Sequence, residues 1–113
     1  MTVWGTGTPR REFLFVDDLA DACVFVLEHY TGESHLNVGS GEEVTIADAA
    51  KLIAEMIDYR GKLVFDMSRP DGTPRKLLDS SKLIEMGWRA RTSLREGLML
   101  TYSEFITRGC SVQ

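Results

Sequence analysis

The residues with the clearest chemical potential lie in a short stretch near the start of the chain. Trp4 is followed by a turn that contains two glycines and ends at Pro9, and the turn leads directly into Arg10 and Arg11. Glycine and proline at this density predict a turn. The planar fork of an arginine can bind two oxygens of a phosphate at once. This stretch therefore suits an anionic ligand that has a flat or cyclic part.

A second group of charged residues lies between Asp66 and Lys76. This stretch holds two prolines, a glycine and three cations, namely Arg69, Arg75 and Lys76. Loops held by a scaffold often carry function, so the stretch is a candidate site. The alternative is an ordinary solvated loop, because charged side chains are common at protein surfaces.

The elements that position the first stretch can be predicted from its flanks. Phe13–Val16 has the aromatic and β-branched composition of a short strand, and Asp17 or Asp18 can cap the helix that follows. Helical spacing over Leu19–Tyr30 predicts one apolar face. We expect that face to bury Cys23 as a packed thiol. The residues of the face are Leu19, Ala22, Cys23, Val26, Leu27 and Tyr30.

The rest of the chain reads as short strands alternating with capped helices. Capping boxes at Thr45 and Ser93 predict two helix starts, and Gly87 predicts a helix end. Trp88 follows that end and is expected to fill the core. The predicted elements are strands at Leu36–Val38 and Leu63–Phe65, a helix from Thr45 to Gly61, a short helix from Ser80 or Ser81 to Gly87, and a last helix from Ser93 to about Gly109.

Composition limits the functional classes. The 113 residues make one domain of ordinary size, and a net charge of −4 argues against general affinity for polyanions. Two cysteines, Cys23 and Cys110, are too few for a disulfide framework or a metal set. No signal pattern or long apolar run is present, so we expect a cytoplasmic protein.

Several motifs together resemble one enzyme family, the extended short-chain dehydrogenases/reductases that act on nucleotide sugars, and within it the GDP-L-fucose synthases. The resemblance covers nearly the whole chain. The stretch from Trp4 and the stretch Asp71–Asp79 are specific, whereas Asn-Val-Gly-x-Gly is shared more widely. The motifs are Trp-Gly-x-Gly-x-Pro-x-Arg-Glu-Phe from Trp4, Leu36–Gly41, Val64–Asp66, Arg69–Asp79 and Gly87-Trp88.

The resemblance also implies what this stretch of sequence does not carry. These enzymes bind NADP(H) through a glycine fingerprint and use a Tyr-x-x-x-Lys pair for proton exchange. Neither pattern occurs in the 113 residues, because Tyr30, Tyr59 and Tyr102 are followed four positions later by Ser34, Leu63 and Ile106. We therefore expect no cofactor to be bound and no catalytic residue to be present, with NADP(H) used by the full-length parent enzyme.

The resemblance implies which residues bind substrate. Trp4 and Arg11 would contact the nucleotide sugar, Asp71 would accept from two ribose hydroxyls, and Arg75 and Lys76 would add positive charge near the phosphates. Whether Trp4 stacks on the ligand or hydrogen-bonds to it is left open. An alternative for Arg11 is a salt bridge to a nearby carboxylate, for which the candidates are Glu12, Asp17 and Asp18. Arg10 is expected to point away, because neighbours in a strand face opposite ways.

The sequence thus predicts an α/β fold with three or four helices and short strands, as the C-terminal substrate-binding part of such an enzyme without its Rossmann domain. We expect one domain over residues 1–113, with 110–113 as a flexible tail. The expected ligands are GDP, GDP-4-keto-6-deoxymannose and GDP-fucose, and no nucleic acid or membrane. Self-association or strand exchange is expected through the edge of Leu36–Val38. Alternatives are a non-catalytic module that binds nucleotide sugars or a protein, and the same region of a related epimerase or dehydratase.

Overall fold

A computed structural model describes residues 1–109, so the tail predicted at 110–113, with Cys110, lies outside the described residues. Short strands alternate with helices, which confirms the predicted α/β class. The strands are β1 (Thr2–Trp4), β2 (Arg10–Glu12), β3 (Glu43–Thr45), β4 (Val64–Asp66) and β5 (Arg75–Lys76). The helices are α1 (Val16–His29), α2 (Ile46–Met56), α3 (Ser81–Met86) and α4 (Leu94–Thr107).

The strands form two small sheets. In the first sheet β1 pairs in parallel with β4, with Trp4 opposite Asp66. In the second sheet β2 lies between antiparallel β3 and parallel β5, so Arg11 stands opposite both Val44 and Lys76. Both arms of the candidate site, the turn after Trp4 and the loop before Lys76, therefore begin in one sheet and end in the other.

Three predicted helix boundaries are confirmed by their capping contacts. The Thr45 hydroxyl accepts from the Asp48 N–H at 3.1 Å, and the Ser93 hydroxyl accepts from the Glu96 N–H at 3.2 Å. Gly87 ends α3 with a φ of 108°, a conformation that glycine adopts without steric strain. Side-chain caps thus mark where α2 and α4 begin, and a left-handed glycine marks where α3 ends.

The core lies where α1, α3 and the segment after α3 meet. It is built on Ala22, Leu83 and Trp88, so the prediction that Trp88 fills the core is confirmed. The Trp88 indole N–H donates to Asp21 at 2.9 Å. One turn earlier on α1, the buried Asp18 carboxylate accepts from the N–H and hydroxyl of Thr92. Two carboxylates of α1 therefore fix the chain between α3 and α4.

Three local predictions around α1 and the following segment are wrong. The strand lies at Arg10–Glu12 rather than Phe13–Val16, since the residues that find pairing partners on β3 and β5 come earlier. Neither Asp17 nor Asp18 caps the helix, because α1 begins earlier, at Val16, and Phe15 precedes it without a side-chain cap. Within residues 1–109, Leu36–Val38 forms no strand, because it has no strand beside it to pair with.

Helix α1 is apolar on more than one side. Ala22 and Asp18 are buried against the core, whereas Leu19, Cys23 and Leu27 are exposed, Leu27 by 85%. The prediction of Cys23 as a packed thiol is therefore wrong, because the buried face is rotated toward Ala22. The accessible surface of 8409 Å² also exceeds the roughly 6,200 Å² expected for a folded monomer of this mass.

No helix within residues 1–109 combines the length and apolar character needed to span a membrane.

Candidate functional site

The turn between β1 and β2 is rigidly held. Gly5 and Gly7 have φ values of 79° and 76°, which disfavour residues with a Cβ. The Gly7 carbonyl accepts from Ala47 at 2.9 Å, and the Pro9 carbonyl accepts from Ile46 at 3.0 Å. The first residues of α2 therefore hold the turn by backbone hydrogen bonds, and the turn fixes where β2 begins.

Asp71 ties the charged loop to this turn. One carboxylate oxygen accepts from the Thr6 N–H at 2.8 Å, and the other accepts from the Thr6 hydroxyl at 2.7 Å. These two hydrogen bonds, the hydroxyl's first, hold the pKa of Asp71 below its ordinary value. A Cβ on Gly5 would lie 2.2 Å from the same carboxylate, so glycine is needed for this approach. The two hydrogen bonds thus anchor the Asp71 carboxylate on the turn.

Arg11 lies farther along the same pair of segments. Its Nη1 donates to the backbone carbonyls of Arg10 and Thr73, each at 2.6 Å. A Cβ on Gly72 would be 2.8 Å from Nη2, so the guanidinium lies directly against the loop. None of the ion pairs found within residues 1–109 involves Arg11. The alternative of a salt bridge to Glu12, Asp17 or Asp18 is therefore not what the structure has.

The other predicted cations lie on different sides of the sheet. Lys76 is opposite Arg11 in the register, so the two side chains share a face. Arg75 is on the other face with Arg10, and its Nη2 donates to Glu43 at 3.0 Å. That contact lowers the pKa of Glu43 and raises the pKa of Arg75. The pair predicted as Arg75 and Lys76 is thus divided, and only Lys76 stands beside Arg11.

Trp4 marks the opposite end of the charged loop. Its side chain is 67% exposed, and the Arg69 guanidinium carbon lies 5.0 Å from its ring centroid. Arg69 also forms an ion pair with Asp66, with Nε 3.9 Å from Oδ2. Trp4 therefore presents an aromatic ring at the surface with a cation on one of its faces.

The structure joins the two predicted stretches through residues that sequence reasoning missed. Thr6 binds Asp71, and the Thr73 carbonyl and Gly72 receive Arg11. These contacts connect positions more than 60 residues apart, so no local spacing could reveal them. The Glu43–Arg75 pair, 32 residues apart, was missed for the same reason. The result is a surface with Trp4 at one end, the cations Arg11 and Lys76 at the other, and the Asp71 carboxylate bound to Thr6.

Comparison with known sequences confirms the resemblance noted above. Residues 1–39 match the sequence profile of the NAD dependent epimerase/dehydratase family. The chain is 58% identical over 106 residues to a probable GDP-L-fucose synthase 1 of Oryza sativa subsp. japonica, a match that covers 94% of this chain and 32% of that protein. The chain thus spans about one third of the length of such relatives.

Solved structures agree with this comparison. The fold matches a GDP-L-fucose synthetase from Naegleria fowleri bound to NADP, with a TM-score of 0.89, 25% identity and coverage of 95% of this chain and 34% of the other. It also matches a UDP-glucose 4-epimerase from Thermotoga maritima with UDP-glucose, with a TM-score of 0.83, 30% identity and coverage of 96% and 35%. The chain therefore has the fold of part of these enzymes and is similar in sequence to GDP-L-fucose synthases.

Proposed function

We propose that this chain supplies the GDP-sugar side of the substrate cleft in an enzyme similar to GDP-L-fucose synthase. The parent reaction would be 3,5-epimerisation and NADPH-dependent 4-keto reduction of GDP-4-keto-6-deoxy-D-mannose to GDP-L-fucose. The identity to GDP-L-fucose synthases supports the choice of enzyme. The geometry around Arg11 supports the role of this part of it.

One observation carries the proposal: the only hydrogen-bond acceptors of Arg11 within residues 1–109 are neutral carbonyls. The carbonyls of Arg10 and Thr73 orient the guanidinium but leave its positive charge uncompensated. A half-buried guanidinium whose charge is not compensated favours the binding of an anion. An arginine can also make two parallel hydrogen bonds to phosphate oxygens. Lys76 adds a second positive charge on the same face.

The remaining predicted site residues fit around this cation. Asp71 keeps unused lone pairs after accepting from Thr6, because an ionised carboxylate has about four acceptor positions. We propose that those positions accept the two ribose hydroxyls of the ligand. Trp4 would contact the nucleotide at the other end of the loop. Arg75 is assigned to the ion pair with Glu43 rather than to the ligand.

Titration calorimetry with GDP and GMP tests the proposal. GDP should bind about tenfold more tightly, because its second phosphate gains a charge-assisted bond of about 1.5–3 kcal/mol to Arg11. Equal affinities for GDP and GMP would refute the site. UDP is the matched comparison for base choice: tighter binding of UDP than of GDP would favour a relative of the UDP-glucose 4-epimerase instead.

We propose further that this chain alone binds no cofactor and does not turn over substrate. The support is the lack of a glycine fingerprint and of a Tyr-x-x-x-Lys pair in the sequence. NADP(H) would be held by the remainder of the parent enzyme. NADPH oxidation measured with the keto-sugar nucleotide should equal that of a heat-killed control, and a higher rate in host-free protein would overturn this part.

Self-association is also part of the proposal. Two features favour contact with another chain: the exposed apolar side of α1, with Leu19, Cys23 and Leu27, and Leu36–Val38, which pairs with no strand within residues 1–109. Sedimentation should show dimers or larger species at high protein concentration. A pure monomer at every concentration would contradict it. Leu27→Glu should shift the distribution toward monomer, with Glu33→Gln as a control for a surface charge change.

A further inference from the structure

The two tryptophans of the chain have opposite environments. Trp88 is 5% exposed and its indole N–H is bonded to Asp21, whereas Trp4 is 67% exposed. No hydrogen bond of the Trp4 indole is found within residues 1–109. A single exposed aromatic residue is common at protein surfaces, so exposure alone carries no inference. Trp4 differs from such a residue because the Arg69 guanidinium lies over its ring.

A tight turn after β4 brings Arg69 back over Trp4. Asp66 stands opposite Trp4 in the strand register, and its carbonyl accepts from both Gly5 at 2.9 Å and Arg69 at 3.2 Å. Its carboxylate accepts from the Ser68 N–H at 3.0 Å and pairs with Arg69. Arg69 is therefore fixed at its backbone and at its head, with its guanidinium 5.0 Å from the ring centroid.

This arrangement gives the two faces of the Trp4 ring different roles. A guanidinium on one face is an attractive cation–π contact that restricts rotation of the ring. With 67% of the residue still exposed beside this cation, most of the ring remains accessible to a planar partner. A nucleobase stacks well on such a face, because every base presents a π surface.

We propose that Arg69 is a positioning residue that holds Trp4 as a stacking platform for the base of a nucleoside diphosphate. The inference rests on the proposed function, since it places the base at the Trp4 end and the diphosphate at the Arg11 end of one ligand. It assigns stacking, rather than hydrogen bonding, as the contact of Trp4. Arg69 acts by positioning Trp4 and does not bind the phosphates itself.

The test compares GDP with inorganic pyrophosphate, which has the two phosphates but no base. Arg69→Met keeps the aliphatic stem and removes the cation, so GDP affinity should fall about two- to fivefold while pyrophosphate affinity stays within error. Arg69→Lys keeps a cation over the ring and should restore most of the GDP affinity. Trp4→Leu should weaken GDP about fivefold or more and leave pyrophosphate unchanged.

Fluorescence gives a readout that a purely structural role of Arg69 would not move. Acrylamide, a neutral quencher, reaches Trp4 and not the buried Trp88, so the quenchable fraction of emission reports Trp4. GDP should protect Trp4 from acrylamide, and pyrophosphate should not. In Arg69→Met the ring should be more quenchable before GDP is added.

The outcomes separate this inference from the proposed function. Equal losses of GDP and pyrophosphate affinity in Arg69→Met, or no protection of Trp4 by GDP, would overturn the stacking platform. Pyrophosphate binding that depends on Arg11 would leave the phosphate site standing in that case. Conversely, GDP and GMP that bind equally but both protect Trp4 would refute the diphosphate site and support the platform.

Discussion

The two faces of the three-stranded sheet hold arginines in opposite electrostatic states. On one face Arg75 is paired with Glu43, and Glu12 accepts from the Gly41 N–H at 2.9 Å. On the other face Arg11 and Lys76 lie side by side in the register, and the hydrogen bonds of the Arg11 guanidinium found within residues 1–109 go to neutral carbonyls. The first face is charge-compensated, and the second carries positive charge that an anion can neutralise.

This difference shows why residue type alone does not identify a binding residue. Arg10, Arg11 and Arg75 are all arginines of adjacent strands, and all are near the glycine turn in the fold. Strand geometry sends Arg11 to the opposite face from the other two. On that shared face Arg75 is paired with Glu43, whereas Arg11 has the other face with Lys76.

The largest expected effect comes from disrupting the turn that positions both faces. Gly7→Ala places a Cβ 2.5 Å from the Phe65 ring and 2.9 Å from Ala47, at a φ of 76°. The free energy of unfolding should fall by about 2–4 kcal/mol, from left-handed strain together with overpacking. Chemical denaturation measures it.

Gly41→Ala is the matched control for that substitution. Gly41 has a φ of 80° but open space around its missing Cβ, so only the strain of about 1–2 kcal/mol should remain. An equal loss in both variants would mean that the Gly7 turn is not tightly packed.

Arg11→Ala should remove the tenfold preference for GDP over GMP and leave the melting curve nearly unchanged. Arg11→Lys should not restore the preference, because an ammonium cannot make the two-pronged contact. Arg10→Ala, on the compensated face, is the control and should keep it. An Arg11→Ala protein that unfolds would instead assign Arg11 a structural role.

Glu43→Gln should change the acid stability of the protein and not its ligand binding. Because the pKa of Glu43 is lowered in the folded state, its contribution is present above the ordinary glutamate pKa of about 4.3 and is lost as the pH falls below it. The variant should melt lower at pH 7 and show a shallower loss of stability between about pH 5 and 3. Glu42→Gln is the control. A loss of GDP affinity in Glu43→Gln would contradict the separation of the two faces.

Lys76→Met should have the smallest effect. Its charge is exposed, so GDP affinity should fall about two- to threefold at low salt, and the difference should shrink in 0.5 M salt, where screening is strong. Lys62→Met, away from the sheet, should leave affinity unchanged. A loss that persists at high salt would mean that Lys76 makes a direct, desolvated contact.

Local chemistry made much of the fold predictable. Caps such as Thr45 and Ser93, and the end signal at Gly87, depend only on neighbours a few residues away. The position of β2 and the fate of Leu36–Val38 depend on strand partners, which a local pattern does not contain. The buried side of α1 was partly misassigned because that helix is apolar on the exposed side as well.

The candidate site shows the same limit. The motifs were sufficient to name Trp4, Arg11 and Asp71. In the fold, Asp71 contacts the turn at Thr6 and Arg11 contacts the loop at Thr73. The division of Arg75 from Lys76 follows from the register and from a carboxylate 32 residues away in the sequence. Only the folded chain shows that Arg75 is in an ion pair and that Arg11 is in none of the ion pairs found within residues 1–109.

The most direct measurement follows the guanidinium N–H signals of Arg11 and Arg75 by ¹⁵N-resolved NMR during a titration with GDP. Arg11→Lys and Arg75→Lys variants assign the two signals by their loss. The Arg11 signal should shift with saturation, because phosphate oxygens replace solvent at its free donors, and the Arg75 signal should stay in place. A shift of Arg75 with Arg11 unmoved, or no shift of either signal at saturating GDP, would contradict the account.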